Sequence, residues 1–136
     1  MKYLIAMTGS QQHYDAIAGR GTDDIPAWKP EEVKAMVEYM QEMNTELEAS
    51  GELVGGEGLT DPAHARRVQL RDGEIVVTDG PYAETAEVLA GYWVVDVDGI
   101  DRATEIATKA AKSPAPAGFP TSAPIDIRPV GEAPSF

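Results

Sequence analysis

The order of strand-like and helix-like segments constrains the fold of this chain more than any other feature. Residues 2–7 and 91–97 are apolar runs with aromatic and branched side chains, and both predict strands buried on both faces. Residues 30–50 predict a long helix with one apolar face, which only Asn44 interrupts. The apolar positions of that face are Val33, Met36, Val37, Met40 and Leu47. Residues 100–112 predict a second helix. The chain therefore alternates strands with helices.

The second helix has a predicted cap and a predicted inner face. Asp98 precedes it and is a residue type that often caps a helix N-terminus. Its inward positions at helical spacing are Ile100, Ala103, Ala107 and Ala110.

Further strands are predicted between and after the helices. Residues 53–59 form a glycine-rich strand, and glycines within strands often mark a bulge or a close backbone approach. Residues 67–71 and 74–78 flank Asp72-Gly73, a strong signal for a hairpin. A last strand is predicted near residues 125–130, which Pro129 interrupts.

These elements predict a single α+β domain over residues 1–136. Right-handed crossovers would give a ferredoxin-like split βαβ sheet with two helices on one face and an added β-hairpin. The sheet face opposite the helices must be shielded from water, and the apolar side chains of its strands can pack against the sheet of a partner subunit. We therefore expect a homodimer joined through its sheets.

Two segments show no periodicity. Residues 8–29 are predicted to form a long structureless loop, either more mobile than the rest of the domain or closed over a pocket as a lid. Residues 113–124 hold four prolines and predict neither helix nor central strand.

Charge and composition narrow the classes of function. Eleven basic residues face twenty-three acidic ones, a net charge of -12, which disfavours nucleic acid and anionic membrane surfaces as partners. There are no cysteines, which excludes thiolate chemistry and fits a cytoplasmic location. Neither histidine has metal-ligand spacing around it, so no metal or other cofactor is predicted. No run of residues is long and apolar enough to span a bilayer.

A family likeness rests on residues 77–85, which read Val-Thr-Asp-Gly-Pro-Tyr-Ala-Glu-Thr. They resemble the signature of the YCII-related family, specifically its DGPF-motif branch, with Tyr82 in place of the usual phenylalanine. Supporting matches are Gly51, Gly55-Gly56-Glu57-Gly58-Leu59, Arg71-Asp72-Gly73, Gly91-Tyr92 and Ile127-Arg128-Pro129-Val130.

The resemblance implies a ferredoxin-like domain that dimerises through its sheets as a dimeric α+β barrel. It implies no agreed reaction, because some relatives are suspected enzymes and others are linked to sigma-factor proteins of transcription initiation. A His–Asp pair proposed for the wider family is not carried over. Residues 29–33 and 112–114 lack the expected histidine and Asp-Pro-Tyr.

Asp79 is the first candidate for chemistry, with Tyr82 and Glu87 as further catalytic candidates. A carboxylate at a strand end can serve as a general base in a pocket. Asp-Gly-Pro is also turn chemistry, and Asp79 can simply bind backbone N–H groups and fix the turn.

Four further residues are candidates for ligand binding. Glu57 and Glu84, together with Glu87, could form a carboxylate cluster if residues 82–87 are helical; otherwise they form a solvated acidic turn. Trp93 could stack on a planar ligand or pack in the core. His13 could act as an acid or base near neutral pH, or it could be an exposed loop residue.

Two functions follow from these candidates. The first is a small-molecule-binding protein or enzyme that performs general acid–base chemistry near Asp79. The alternative is a non-catalytic dimeric regulatory or interaction module.

Overall fold

The computed structural model describes residues 1–121 and 123–132, a mixed α+β chain of six strands and three α-helices. The elements are β1 (Lys2–Gly9), α1 (Gln11–Ile17), α2 (Pro30–Ala49), β2 (Leu53–Gly58), β3 (Arg66–Arg71), β4 (Glu74–Asp79), β5 (Val88–Asp96), α3 (Ile100–Ala111) and β6 (Ile125–Pro129).

The main sheet has four strands in the order β2-β5-β1-β6, and every neighbouring pair is antiparallel. The path from β1 through α2 to β2 steps over β5, and the path from β5 through α3 to β6 steps over β1. Two interleaved βαβ units of this kind are consistent with the predicted ferredoxin-like α+β fold. Strands β3 and β4 form a separate two-stranded hairpin.

The core lies between one face of this sheet and the two long helices. Ile5 of β1 and Val95 of β5 have no exposed surface, and Ile106 of α3 is 2% exposed. Met43 and Leu47 of α2 complete the same cluster. Burying one aliphatic side chain of this size stabilises a fold by about 1.5–3 kcal/mol, so these contacts dominate the domain's stability.

The central strands are buried mainly on the helix face. Leu4 and Ala6 of β1 lie opposite Val94 and Tyr92 of β5, and all four are half-buried. The sequence predicted strands buried on both faces. The difference arises because the described helices pack on one face only.

Helix α2 begins at the predicted residue and ends at Ala49, one residue before the predicted end. Pro30 stands in its first turn, where its missing N–H is not needed, and Gly51 follows its end with a left-handed φ of 77°. Val37, predicted to face inward, is 41% exposed. Leu47 of the predicted face is buried, and so is Met43, which was not predicted.

Two predicted details of α3 are wrong. Gly99 occupies the N-cap position and no side chain caps the helix, so Asp98 does not have this role. Ile100 is 47% exposed, whereas Ala103, Ala107 and Ala110 are buried as predicted. The inner face is completed by Ile106, one helical turn after Ala103.

Residues 8–29 are not wholly structureless, which corrects the prediction. Strand β1 continues to Gly9 and α1 follows at once. Ser10 caps α1 by accepting a hydrogen bond from the His13 N–H at 3.2 Å. Residues 18–29 form neither helix nor strand, but Ile25 and Trp28 are buried with Ala16 in a second, smaller core.

Among the described residues, no helix is long and apolar enough to cross a membrane.

Candidate functional site

A cavity of about 720 Å³ opens between the helix face of the main sheet, α1, α2 and the proline-rich segment after α3. Its volume falls in the range of small-molecule pockets, about 300–1,000 Å³. Its walls come from distant parts of the chain, so the cavity is a product of the fold.

The floor of the cavity is glycine-rich. Gly56 and Gly58 of β2 lie opposite Trp93 and Gly91 of β5, on the helix face of the sheet. A Cβ atom at Gly58 would have no neighbour within 4 Å, whereas one at Gly56 would lie 2.7 Å from the Tyr92 carbonyl oxygen. The missing side chain at Gly58 therefore leaves open space on the floor, whereas glycine is needed at Gly56 because the β5 backbone approaches closely.

One wall is a side of helix α2. Met36 and Met40 border the cavity, and Asn44 lies one turn further along. The Asn44 Oδ1 atom accepts a hydrogen bond of 2.7 Å from the Trp93 Nε1–H group. This contact explains the polar residue on the otherwise apolar face of α2, because the indole donor would otherwise be buried without a partner.

Helix α1 contributes His13 in a defined state. The Ser10 backbone N–H donates to His13 Nδ1 at 3.3 Å, as the second half of the capping box. In the neutral ring the proton is therefore on Nε2. Among the hydrogen bonds of the described residues, none involves that atom.

Tyr14, the next residue, ties α1 to the sheet. Its hydroxyl group lies 2.9 Å from the Leu59 carbonyl oxygen and 3.2 Å from that of Ala90. Burial, and then the Asp61 carboxylate, raise the pKa of Tyr14 above its ordinary value. Tyr14 is therefore a hydrogen-bond donor that holds the wall in place.

The proline-rich segment forms the remaining wall and is held by Phe119. The Phe119 ring centroid lies 5.4 Å from that of His13 and 5.0 Å from that of Trp28. The Trp28 contact is edge-to-face, a favoured geometry for aromatic pairs. Three aromatic rings from three segments thus meet beside the cavity.

Within the described residues, three buried side-chain atoms have no hydrogen-bond partner: Thr8 Oγ1, Trp28 Nε1 and Ser113 Oγ. All three residues border this cavity. Buried polar groups are nearly always paired, so unpaired ones gathered around a single cavity point to a missing polar partner.

The connection between β2 and β3 is fastened to α1 near the cavity mouth. Gln11 Nε2 donates to Asp61 Oδ2 at 2.8 Å, and Gln11 Oε1 accepts from the Ala63 N–H at 2.8 Å. His64 pairs with the same carboxylate, which raises the pKa of His64. The bond from Gln11, and then that from His64, lower the pKa of Asp61.

Three of the predicted ligand-binding residues, His13, Glu57 and Trp93, border the cavity. Glu57 lies opposite Tyr92, so strand alternation directs its side chain to the face away from the helices. Glu57 therefore borders the cavity through its backbone, and its exposed carboxylate lies on the other face of the sheet.

The other predicted residues lie outside the cavity lining. Asp79 ends β4, where its carboxylate accepts bonds from Arg66 Nε at 2.6 Å and Nη2 at 3.3 Å, with 72% of its side chain exposed. Tyr82 is stacked under the Arg67 guanidinium group at 5.1 Å. Residues 82–87 are not helical, so Glu84 and Glu87 do not share a helical face.

Among the described residues, no three histidine or acidic side chains are grouped to hold a metal ion.

Met36, Met40 and Phe119 also border the cavity, a role that was not predicted from the sequence. The signal that could have located the site was strand parity. Gly56, Gly58 and Gly91 lie on the face that also carries Trp93, and three glycines on one face of a sheet leave a depression.

The fold and cavity define a small α+β domain with an antiparallel sheet and a helix-side pocket. Over residues 1–119 the chain matches the YCII-related domain, and it belongs to that family. It is also similar to an uncharacterized protein of Rhizobium meliloti (strain 1021), with 28% identity over 109 residues, 80% of this chain and 88% of that protein.

Proposed function

We propose that this protein binds a small organic molecule in the cavity between the sheet, α1, α2 and the proline-rich segment. The observation that carries the proposal is the cavity itself, about 720 Å³ in volume, with mainly apolar and aromatic walls. The unpartnered atoms of Thr8, Trp28 and Ser113 add the few polar groups that orient a ligand in such sites.

The chain offers a direct test, because its two tryptophans, Trp28 and Trp93, both border the cavity. Titration with prodan, an uncharged dye whose fluorescence shifts in apolar sites, should change the intrinsic tryptophan fluorescence. The variant Gly58→Leu should weaken binding by about tenfold or more, since the new side chain enters open space over the floor.

The matched control is Gly99→Leu. Gly99 precedes α3, has an extended backbone and would also place its Cβ in open space, away from the cavity lining. Its dye affinity should equal that of the unmodified protein. Equal affinities in the Gly58 and Gly99 variants would contradict the proposal.

We further infer that the protein is a homodimer of the dimeric α+β barrel type and belongs to the DGPF-motif branch. The half-buried residues Leu4, Ala6, Tyr92 and Val94 on the sheet face opposite the helices support the dimer. The Asp79-Gly80-Pro81-Tyr82 sequence supports the branch. The absence of cysteine supports a cytoplasmic location.

General acid–base chemistry near Asp79, with Tyr82 and Glu87, is a separate hypothesis. Its support is the family motif and the exposure of the Asp79 carboxylate at the end of β4. It differs from the cavity proposal in location, so variants of Asp79 distinguish the two.

The alternative function is a regulatory or interaction module, which the resemblance links to sigma-factor proteins. One observation favours it: the hairpin presents Val68, Leu70, Ile75 and Val77 with between 54% and 70% of their surfaces exposed. Val68 pairs with Val77 and Leu70 with Ile75, so all four share one face. Apolar patches of this kind often mark interaction sites.

A further inference from the structure

The charge of the cavity wall limits what it can bind. Among the described residues that border the cavity, none is lysine or arginine. The carboxylates among them, Glu48 and Glu57, belong to exposed residues at its edge. A carboxylate or phosphate ligand would therefore lose its hydration without gaining a counter-charge, and so would a buried cation.

The shape of the wall indicates a ring. His13, Phe119 and Trp28 form a continuous aromatic surface with centroid separations of 5.4 and 5.0 Å. Trp93 lies across the floor and is fixed by its bond to Asn44. The planes of these rings are tilted by 58° and 86° to one another, so together they offer a planar ligand both face and edge contacts, the two favoured geometries of aromatic pairs.

The unpaired polar groups around the cavity include two N–H donors. Trp28 Nε1 can only donate, and it has no acceptor among the described residues. His13 Nε2 carries the ring proton because Nδ1 accepts from Ser10. An acceptor oxygen on the ligand would pair a donor that is otherwise buried and unsatisfied.

We propose that the cavity selects an uncharged ring compound that carries a carbonyl-type acceptor oxygen, such as a cyclic ketone or lactone. This inference rests on the proposed function and specifies the ligand class of the same cavity. Binding combines contact of the ring with the aromatic wall and donation from Trp28 or His13 to the carbonyl oxygen.

Three probes of similar size test this by isothermal titration calorimetry. Coumarin has a planar ring and an uncharged lactone carbonyl, naphthalene has the ring without the carbonyl, and coumarin-3-carboxylate adds a negative charge. Coumarin should bind about fivefold or more tightly than naphthalene, and about tenfold or more tightly than coumarin-3-carboxylate.

A variant separates the donor from the ring contact. Trp28→Phe keeps an aromatic side chain but removes the N–H, so it should reduce the preference for coumarin over naphthalene by about threefold or more. Tyr39→Phe removes an aromatic donor that bonds the Lys109 carbonyl oxygen outside the cavity, and it should leave that preference unchanged.

The outcomes distinguish this inference from the proposed function. If naphthalene or coumarin-3-carboxylate binds as well as coumarin, and Gly58→Leu abolishes that binding, the cavity is a binding site but the ligand class is wrong. If no probe binds at concentrations up to about 1 mM, any binding is weaker than about 4 kcal/mol in free energy. Both proposals then fail. An unchanged preference in Trp28→Phe would overturn the role of its donor.

Discussion

Asn44 shows how a single polar residue serves both the core and the cavity. It interrupts the apolar face of α2, and its side chain accepts the Trp93 indole N–H at 2.7 Å. The sequence shows that Asn44 interrupts the apolar face but not which residue it bonds, because Trp93 lies 49 positions further along the chain. A sequence pattern thus shows that a polar residue interrupts an apolar face but does not show which group it bonds.

Replacement of Asn44 by leucine should therefore destabilise the domain. The change leaves the Trp93 N–H buried without an acceptor, at a cost of about 1–3 kcal/mol in the free energy of unfolding. Urea denaturation measures this, with Thr45→Ala at the exposed neighbouring position as the control. A loss below about 0.5 kcal/mol would show that the indole finds another partner.

Asp79 tests the hypothesis that the motif is catalytic. Its exposed pairing with Arg66 is of the kind that contributes less than about 1 kcal/mol, so Asp79→Asn should fold normally. Since Asp79 does not border the cavity, dye and coumarin affinities should be unchanged in this variant. Loss of binding in a folded Asp79→Asn protein would instead place the site at the motif.

At the scale of elements, α1 illustrates why part of the fold escaped prediction. The helix has seven residues, too few for an apolar face to repeat, and its capping box uses His13 in place of the usual glutamate or glutamine. The long helices and the hairpin were predictable because α2 has periodic side chains and Asp72-Gly73 has a specific turn chemistry. Asp72 indeed adopts a positive φ of 49°.

The start of β2 is joined to α3 by a forked ion pair. Arg102 Nε and Nη2 donate to the two carboxylate oxygens of Glu52 at 2.8 and 2.9 Å. The bonds from Arg102, and then that from Ser50, lower the pKa of Glu52 from 4.5 to about 2. A bidentate contact of this kind fixes the strand against the helix.

The lowered pKa predicts a specific pH dependence. The ion pair contributes its full stability above pH 4.5, the ordinary pKa of Glu52, and loses it as the pH falls toward about 2. Glu52→Gln should therefore cost about 1 kcal/mol at pH 7, a figure that allows for the exposure of the pair, and nearly nothing at pH 2. Unfolding measured across this range would contradict the account if the cost did not diminish.

At the scale of the whole molecule, the sheet and its helices were predictable from segment order, whereas the cavity was not. Segment order fixes which strands neighbour each other once crossovers are right-handed. The cavity depends on Met36, Gly58 and Phe119 meeting in space, and the spacing of these residues in the chain gives no sign of it. The hypothesis of acid–base chemistry was placed at Asp79 because the Asp-Gly-Pro-Tyr motif is the most specific signal in the sequence.

The proposed dimer predicts the effect of a charge on the sheet face. Val94→Lys places an ammonium group among Leu4, Ala6 and Tyr92, so it should weaken the dimer by about a hundredfold or more while the protomer stays folded. Val37→Lys makes the same change at a valine of α2 that is 41% exposed, and it should leave the dimer intact. Light scattering reports both, and a monomeric unmodified protein would exclude the dimer.

The most direct test of the cavity as a binding site is a heteronuclear NMR titration of the unmodified protein with coumarin. The indole N–H signals of Trp28 and Trp93 should shift together with the amides of Gly58 and Gly91, and the hairpin amides should not shift. Shifts confined to residues 66–79, with both indole signals unmoved, would contradict binding in the cavity.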